Sequence, residues 1–253
     1  MSEQLKEKFL LGQVILIDKP LTWTSFDVVK RVRYLIRKEL GIKKIKVGHA
    51  GTLDPLATGL LIVCTGKFTK KIDEIQAQEK EYSGIITLGA TTPSYDLEKD
   101  TDEEYPTQHI SEKLIKETAL SFIGKQEQVA PQHSAKKIDG KRAYEYAREG
   151  EEVKIKSNLI TIKAFDVELC ELPDFDNEIP HNERINRAAP YTEGLHVKFR
   201  IVCSKGTYIR SIARDFGQRL NSGAHLSQLS RTRIGDYKVD NAIKIDELNK
   251  LFL

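Results

Sequence analysis

Asp54 is the one acid in Gly48-His49-Ala50-Gly51-Thr52-Leu53-Asp54-Pro55-Leu56-Ala57-Thr58-Gly59, the stretch of this chain best suited to chemistry. The glycines and the proline mark a turn, and an apolar run, Leu60-Leu61-Ile62-Val63-Cys64, follows at once. Proline biases the residue before it toward extended backbone. Asp54 is therefore expected on a loop leading into a buried strand, not solvated on a helix face. Scaffolded loops are where catalytic side chains concentrate, so carboxylate chemistry can be done there. Asp-Pro is also ordinary turn chemistry, and the local residues leave both readings open.

Four further groupings can carry chemistry. Ile17-Asp18-Lys19-Pro20 precedes Thr24-Ser25, and Lys80-Glu81-Tyr82 brings a tyrosine, with its flat face and hydroxyl, to a strand entrance. Ala130-Pro131-Gln132-His133-Ser134-Ala135-Lys136-Lys137-Ile138-Asp139-Gly140-Lys141-Arg142-Ala143-Tyr144-Glu145 mixes basic and aromatic residues. That mixture suits contact with a nucleic-acid backbone plus base stacking. Cys203-Ser204-Lys205-Gly206-Thr207-Tyr208-Ile209-Arg210 puts an arginine near a helix start, where the helix dipole disfavours a cation unless a carboxylate accompanies it.

Charge is unevenly spread. The 253 residues carry only +3, but Lys30, Arg31, Arg33, Arg37, Lys38, Lys43, Lys44 and Lys46 crowd one segment opposed only by Glu39. Such a cluster can neutralise phosphates, or it can be a solvated helix face. The chain is 40% hydrophobic and 30% charged, a normal globular balance. No apolar run approaches the roughly 18 residues that span a bilayer, and the charged N-terminus lacks a signal-peptide core, so a cytoplasmic location is expected. Cys64, Cys170 and Cys203 form no CxxC pair; a disulfide framework and a zinc site are both unsupported, and buried thiols are expected at Cys64 and Cys203. Neither a Rossmann fingerprint nor a P-loop is present.

These residues need positioning elements. Val14–Ile17 reads as a buried strand. Thr24-Ser25-Phe26-Asp27 is a capping-box start for a helix running to about Leu40, with Gly41 as its stop. Leu60–Cys64 and Ser83–Leu88 read as strands, Thr91–Thr107 as a loop and Ser111–Ile123 as a helix. Val197, Phe199, Ile201 and Cys203 alternate onto one strand face, and Ile209, Ile212, Phe216 and Leu220 share a helix face after Lys205-Gly206-Thr207. Residues 173–194 have no clear period and read as an excursion or linker. Strands and helices do not alternate regularly, which predicts an α+β fold.

Gly-Thr-Leu-Asp-Pro-Leu-Ala-Thr-Gly, spanning Gly51–Gly59, resembles the active-site motif of the TruB family of tRNA pseudouridine synthases nearly word for word. The other groupings resemble that family's motifs in the same order, from about Val14 to Arg231. The resemblance implies a pseudouridine synthase fold: a central mixed or antiparallel sheet flanked by helices, with an RNA-gripping arm at about 125–155. The catalytic domain would cover 10–240, with the excursion at 173–194. Many relatives add a C-terminal PUA domain, for which too few residues follow Tyr237.

The resemblance also assigns roles. Asp54 would be the nucleophile, Tyr82 would lie against the target base and help remove its C5 proton, and Arg210 would pair with Asp54. His49 and Leu229 would line the flipped nucleotide, while Lys136, Lys141, Arg142 and Tyr144 would grip RNA. Lys19, Pro20, Asp96, Lys205 and Tyr208 would support the site. Two departures stand out: His133 where the family usually has Tyr or Phe, and Ser230 where it often has Arg.

The expected activity is isomerisation of uridine 55 in the T-loop of tRNA to pseudouridine, on a flipped-out base, by a monomer needing no cofactor, metal, membrane or obligatory protein partner. Two other classes stay open: an RNA-binding helper of tRNA folding, and the catalytic subunit of a guide-RNA particle.

Overall fold

The structure, a computed structural model, describes residues 2–134, 136–151, 153–172 and 185–253. The expected excursion therefore lies outside the described residues over 173–184, as do Ala135 and Glu152 of the arm. Along the chain run α1 (Ser2–Leu11), β1 (Val14–Lys19), α2 (Ser25–Leu40), β2 (Val47–His49), β3 (Ala57–Thr65), α3 (Ile72–Ala77), β4 (Lys80–Leu88), β5 (Ala90–Thr91) and β6 (Glu103–Glu104). There follow α4 (Glu112–Leu120), β7 (Gly124–Gln128), β8 (Lys137–Ile138), β9 (Lys141–Arg142), α5 (Ala143–Arg148), β10 (Asn158–Cys170), β11 (Leu195–Cys203), α6 (Ile209–Arg219), β12 (Ala224–Ile234), β13 (Tyr237–Lys238) and β14 (Ile243–Lys244).

Two compact units result. One is built from residues up to Tyr82 and from Leu229 on, together with Ile185; the other from the remaining described residues between Ser83 and Gln228. Strands β4 and β12 each contribute residues to both. Phe9 and Leu248, which lie outside residues 10–240, are both buried in the first core, and Leu5, Ile243, Ile245, Leu251 and Phe252 pack against it.

In the first unit the strand order is β14-β1-β3-β12, with β2 on β3 and β13 on β12. β1 and β3 are antiparallel, Val14 facing Cys64 and Lys19 facing Gly59; β3 and β12 are parallel, Gly59 facing Arg231. Alternation along β3 divides the core. Leu61 and Val63 pack with Val28, Val29, Val32 and Ile36 of α2, whereas Leu60, Ile62 and Cys64 point to the opposite face with Ile75 and Ile234. Both faces of β3 are thus covered, which is why it reads in sequence as an unbroken apolar run.

Helix α2 begins and ends as its residues predict. Thr24 caps it, with the Asp27 amide donating to Thr24 Oγ1 at 3.0 Å and the Thr24 amide donating to Asp27 Oδ2 at 3.2 Å. Gly41, at φ 66°, closes it with a bond to the Arg37 carbonyl. Only glycine takes that left-handed turn at little cost.

In the second unit β10 lies between β11 and β7, antiparallel to both. Phe122, Phe165, Phe199 and Phe216 form its aromatic centre, with the Phe122–Phe165 rings edge-on at 5.7 Å. Three readings of the sequence need revision. Strand β4 starts at Lys80, so Tyr82 lies inside the strand. Residues 125–128, assigned to the arm, belong to β7 and the sheet. The long strand β10 was not foreseen: its outward side is polar, and Lys163, Asp166 and Glu168 obscure the apolar face. Cys64 and Cys203 are buried thiols, as expected.

Candidate active site

Asp54 lies half-buried on the loop between β2 and β3, ahead of a buried strand as its sequence context predicted. Main-chain bonds pin that loop on both sides of the acid. Ser25 Oγ donates to the Leu53 carbonyl (3.0 Å) and accepts from the Leu53 amide (2.8 Å). The Ala57 amide donates to the Asp54 carbonyl at 3.1 Å, and the Thr22 amide to Pro55 O at 2.9 Å. Thr22 holds a left-handed backbone, φ 64°. That conformation is costly for a β-branched residue and persists only where surroundings enforce it.

Two buried cations complete the clamp. Lys19 and Arg231 stand on either side of Gly59 in the β1–β3–β12 register. Lys19, with no exposed surface, donates from Nζ to the carbonyls of Trp23 (2.7 Å), Pro20 (3.0 Å) and Pro55 (3.3 Å). Arg231, 1% exposed, donates to Leu60 O (2.9 Å), Gly51 O (3.0 Å) and, more weakly, Thr52 O (3.5 Å). The two side chains thus hold the main chain just before and just after Asp54. Gly59 makes the arrangement possible: a Cβ there would lie 2.5 Å from the Arg231 carbonyl oxygen, and its φ of 94° suits glycine. Lys19 is among the supporting residues that the family resemblance implies, and these three carbonyls are what it bonds. Arg231 was missed, because in sequence it is one of the two arginines of Arg231-Thr232-Arg233.

Burial pushes the Lys19 ammonium down to about 7; the Asp54 charge opposes this and the Arg231 charge adds to it. The three carbonyl acceptors match the three N–H groups of the charged form. With an ordinary value of 10.5 in the unfolded chain, the unfolded state binds more protons between pH 7 and 10.5. The contribution of this group to stability is thus complete above 10.5 and lost as pH falls through 7. The stability difference between wild type and Lys19→Met is expected to move in favour of wild type from pH 7 to 9, by at most about 1.4 kcal/mol per pH unit. Denaturant unfolding at each pH measures it, and a flat difference would mean an ordinary lysine.

His49 ends β2 in register with Val63 of β3, and burial holds its imidazole below the usual histidine range, with Arg231 reinforcing the effect. Tyr82 is 9% exposed in β4, and Leu229 faces Ala57 across β12 and β3. Asp54, His49, Tyr82, Leu229, Lys19 and Pro20 all belong to the first unit.

The second unit holds the other expected residues. Arg210, 4% exposed in the first turn of α6, has its Nε 3.6 Å from Asp96 Oδ2. It also donates to the carbonyls of His133 (2.9 Å) and Ser94 (3.2 Å). The carboxylate that a cation at a helix start calls for is thus supplied within the unit by Asp96, whose Oδ1 also accepts from the Glu98 amide at 2.9 Å. Tyr208 precedes α6 and packs against Ala130, Ala143 and Ile155, while its amide and carbonyl bond the Gln128 side chain at 2.8 and 3.0 Å. It ties the arm to α6. Lys205 is exposed.

In the arm, Lys137–Ile138 pairs with Lys141–Arg142 as a small hairpin leading into α5. Lys136 bonds the Lys156 carbonyl and Asn158 Oδ1, and Lys141 pairs with Glu149 and lies 4.5 Å from the Tyr146 ring centroid. Tyr144 is half-buried and Arg142 exposed. Of the four residues expected to grip RNA, Arg142 therefore presents the most accessible charge. Among the described residues no cluster of His, Cys, Asp or Glu could hold a metal, and no helix is long and apolar enough to cross a membrane.

The family model "TruB family pseudouridylate synthase (N terminal domain)" matches residues 37–209, and "tRNA pseudouridylate synthase B C-terminal domain" matches 210–253. A tRNA pseudouridine synthase B of Flavobacterium johnsoniae is 53% identical over 240 residues, covering 94% of this chain and 95% of its own length. One from Phocaeicola vulgatus is 50% identical over 238 residues, 94% and 92% of the two chains. Among solved structures, a chain in a crystal structure of a Cbf5–Nop10–Gar1 complex is 27% identical, with a TM-score of 0.62, over 96% of this chain and 56% of that one. The mixed sheet flanked by helices is the fold expected from the sequence. With a family model covering more than half of its residues and relatives near half identity along almost its full length, the chain belongs to the TruB family of pseudouridylate synthases.

Proposed function

We propose that this enzyme converts uridine 55 in the T-loop of tRNA to pseudouridine, with Asp54 as nucleophile. The observation that carries the reading is the clamp: a half-buried carboxylate on a loop whose main chain is bonded by Ser25, Thr22, Lys19 and Arg231. A nucleophile held that rigidly needs little reorganisation when the base arrives. The tRNA specificity is that of the relatives' names.

The reaction is an isomerisation. The N1–C1′ bond of uridine breaks, the uracil turns, and a C5–C1′ bond forms; N1 gains a proton and C5 loses one. No electrons are exchanged, so no redox cofactor is required. The target base must first leave its stack, at a cost of a few kcal/mol. Tyr82, buried in β4, offers a ring to the extruded base, and Leu229 and His49 line the nucleotide in this reading. Arg210 as the counter-charge of Asp54, and Lys136, Lys141, Arg142 and Tyr144 as RNA contacts, are further parts of the proposal, as is action as a monomer.

Tritium release from an unmodified tRNA transcript labelled at uridine C5 tests the reading. One equivalent released, and lost when uridine 55 is replaced, is the expected result. Binding of tRNA without release would turn the assignment toward a tRNA-folding helper.

A further inference from the structure

We propose that the outward face of α2 and the loop after it form a second docking surface for the substrate, one that holds the phosphate backbone of tRNA away from the Asp54 loop. The proposal rests on the reading that the enzyme acts on tRNA. Residues 30–46 hold eight cations and one acid, a net of +7, while the whole chain carries +3; everything else sums to −4. A polyanion therefore meets its strongest attraction here.

The helix presents these charges outward. Val28, Val29, Val32, Leu35, Ile36 and Leu40 are buried against the sheet. At about 100° per residue, Phe26, Lys30, Arg33, Tyr34 and Arg37 fall on one opposite stripe, roughly 16 Å long from Phe26 to Arg37. All five are exposed, and Phe26 and Tyr34 are each 54% exposed, an unusual place for large rings. Lys30 Nζ stands 4.8 Å from the Phe26 ring centroid, and the Arg31 guanidinium 5.8 Å from that of Tyr34. Exposed rings among cations form a surface that takes phosphates and stacked bases together.

A merely solvated helix looks different in the same molecule. On α4, Lys116 pairs with Glu112 at 2.6 Å and Lys113 with Glu117 at 3.8 Å, so the charges balance along the face. On α2 the two nearby acids are Asp27, engaged with the Thr24 cap and Lys30, and Glu39, beside Lys38. The helix dipole accounts for Arg37 and Lys38 in the last turn. It does not account for Lys43, Lys44 and Lys46, exposed beyond the helix end on the segment that runs into His49.

The test compares wild type with the variant K30Q/R37Q/K38Q/K44Q and the charge-preserving variant K30R/R37K/K38R/K44R, using tRNA transcript anisotropy across a salt series. Melting curves establish that both variants are folded. The expected result is a tRNA Kd at least about tenfold weaker in the glutamine variant, with log Kd against log salt shallower by about 3, since each phosphate contact contributes roughly 0.7–0.9. The charge-preserving variant should bind like wild type. An unchanged Kd and slope in the folded glutamine variant would overturn the proposal. So would a loss confined to vesicles of anionic lipid with tRNA binding intact. Wild type that binds tRNA but releases no tritium would overturn the catalytic reading instead, leaving the binding comparison to decide this one.

Discussion

Asp54→Asn is expected to lower tritium release by at least about 10⁴-fold while the protein stays folded and still binds tRNA. The size follows from removing the nucleophile of the reaction. Asparagine keeps the shape of the side chain but loses its charge. The fold should tolerate the change, because Asn is isosteric and much of what holds this loop is main-chain bonding: Ser25 to Leu53, Ala57 to the Asp54 carbonyl, Lys19 to Pro55 and Arg231 to Gly51. The substitution also removes the charge that supports the Lys19 ammonium, so the Lys19 pKa should fall further. Single-turnover assays on labelled tRNA and anisotropy binding measure the two halves. Turnover near wild type would take Asp54 out of the mechanism.

Arg210→Met should be the most damaging single change to stability, at about 3–5 kcal/mol, the range for removing one partner of a buried ion pair. Asp96, 7% exposed, would be left charged without its cation, and the carbonyls of Ser94 and His133 would lose donors. The cost lies mainly in what is stranded, so Arg210→Met combined with Asp96→Asn should recover part of it. A double-mutant cycle by denaturant unfolding measures the coupling. Additive losses would show that Asp96 does not depend on Arg210. The activity readout separates structure from catalysis. If Arg210 is also the counter-charge of Asp54, the stabilised double variant should remain far less active than wild type. Recovery of turnover along with stability would leave Arg210 a purely structural residue.

What the residue order determines here is local. The capping box at Thr24 and Asp27 and the stop at Gly41 act within one turn of chain, and both are legible in the residues alone. The display of Asp54 between a glycine-rich turn and an apolar strand was equally legible, and the motif around it carried the family. Strand β10 was not, since its outward residues are charged and its apolar face shows only once β7 and β11 flank it.

The tertiary structure decided what the cations do. Lys19, Arg210 and Arg231 look in sequence like the exposed lysines and arginines of α2, yet all three are buried and spend their donors on main-chain carbonyls or a carboxylate. Their placement depends on segments distant in sequence: Gly59 faces Arg231 across β3 and β12 and Lys19 across β3 and β1, while Arg210 bonds the Ser94 and His133 carbonyls. No local pattern encodes that register. Whether a cation meets water or a carbonyl is settled only when distant strands pair, and that pairing turns a surface-type residue into the clamp around Asp54.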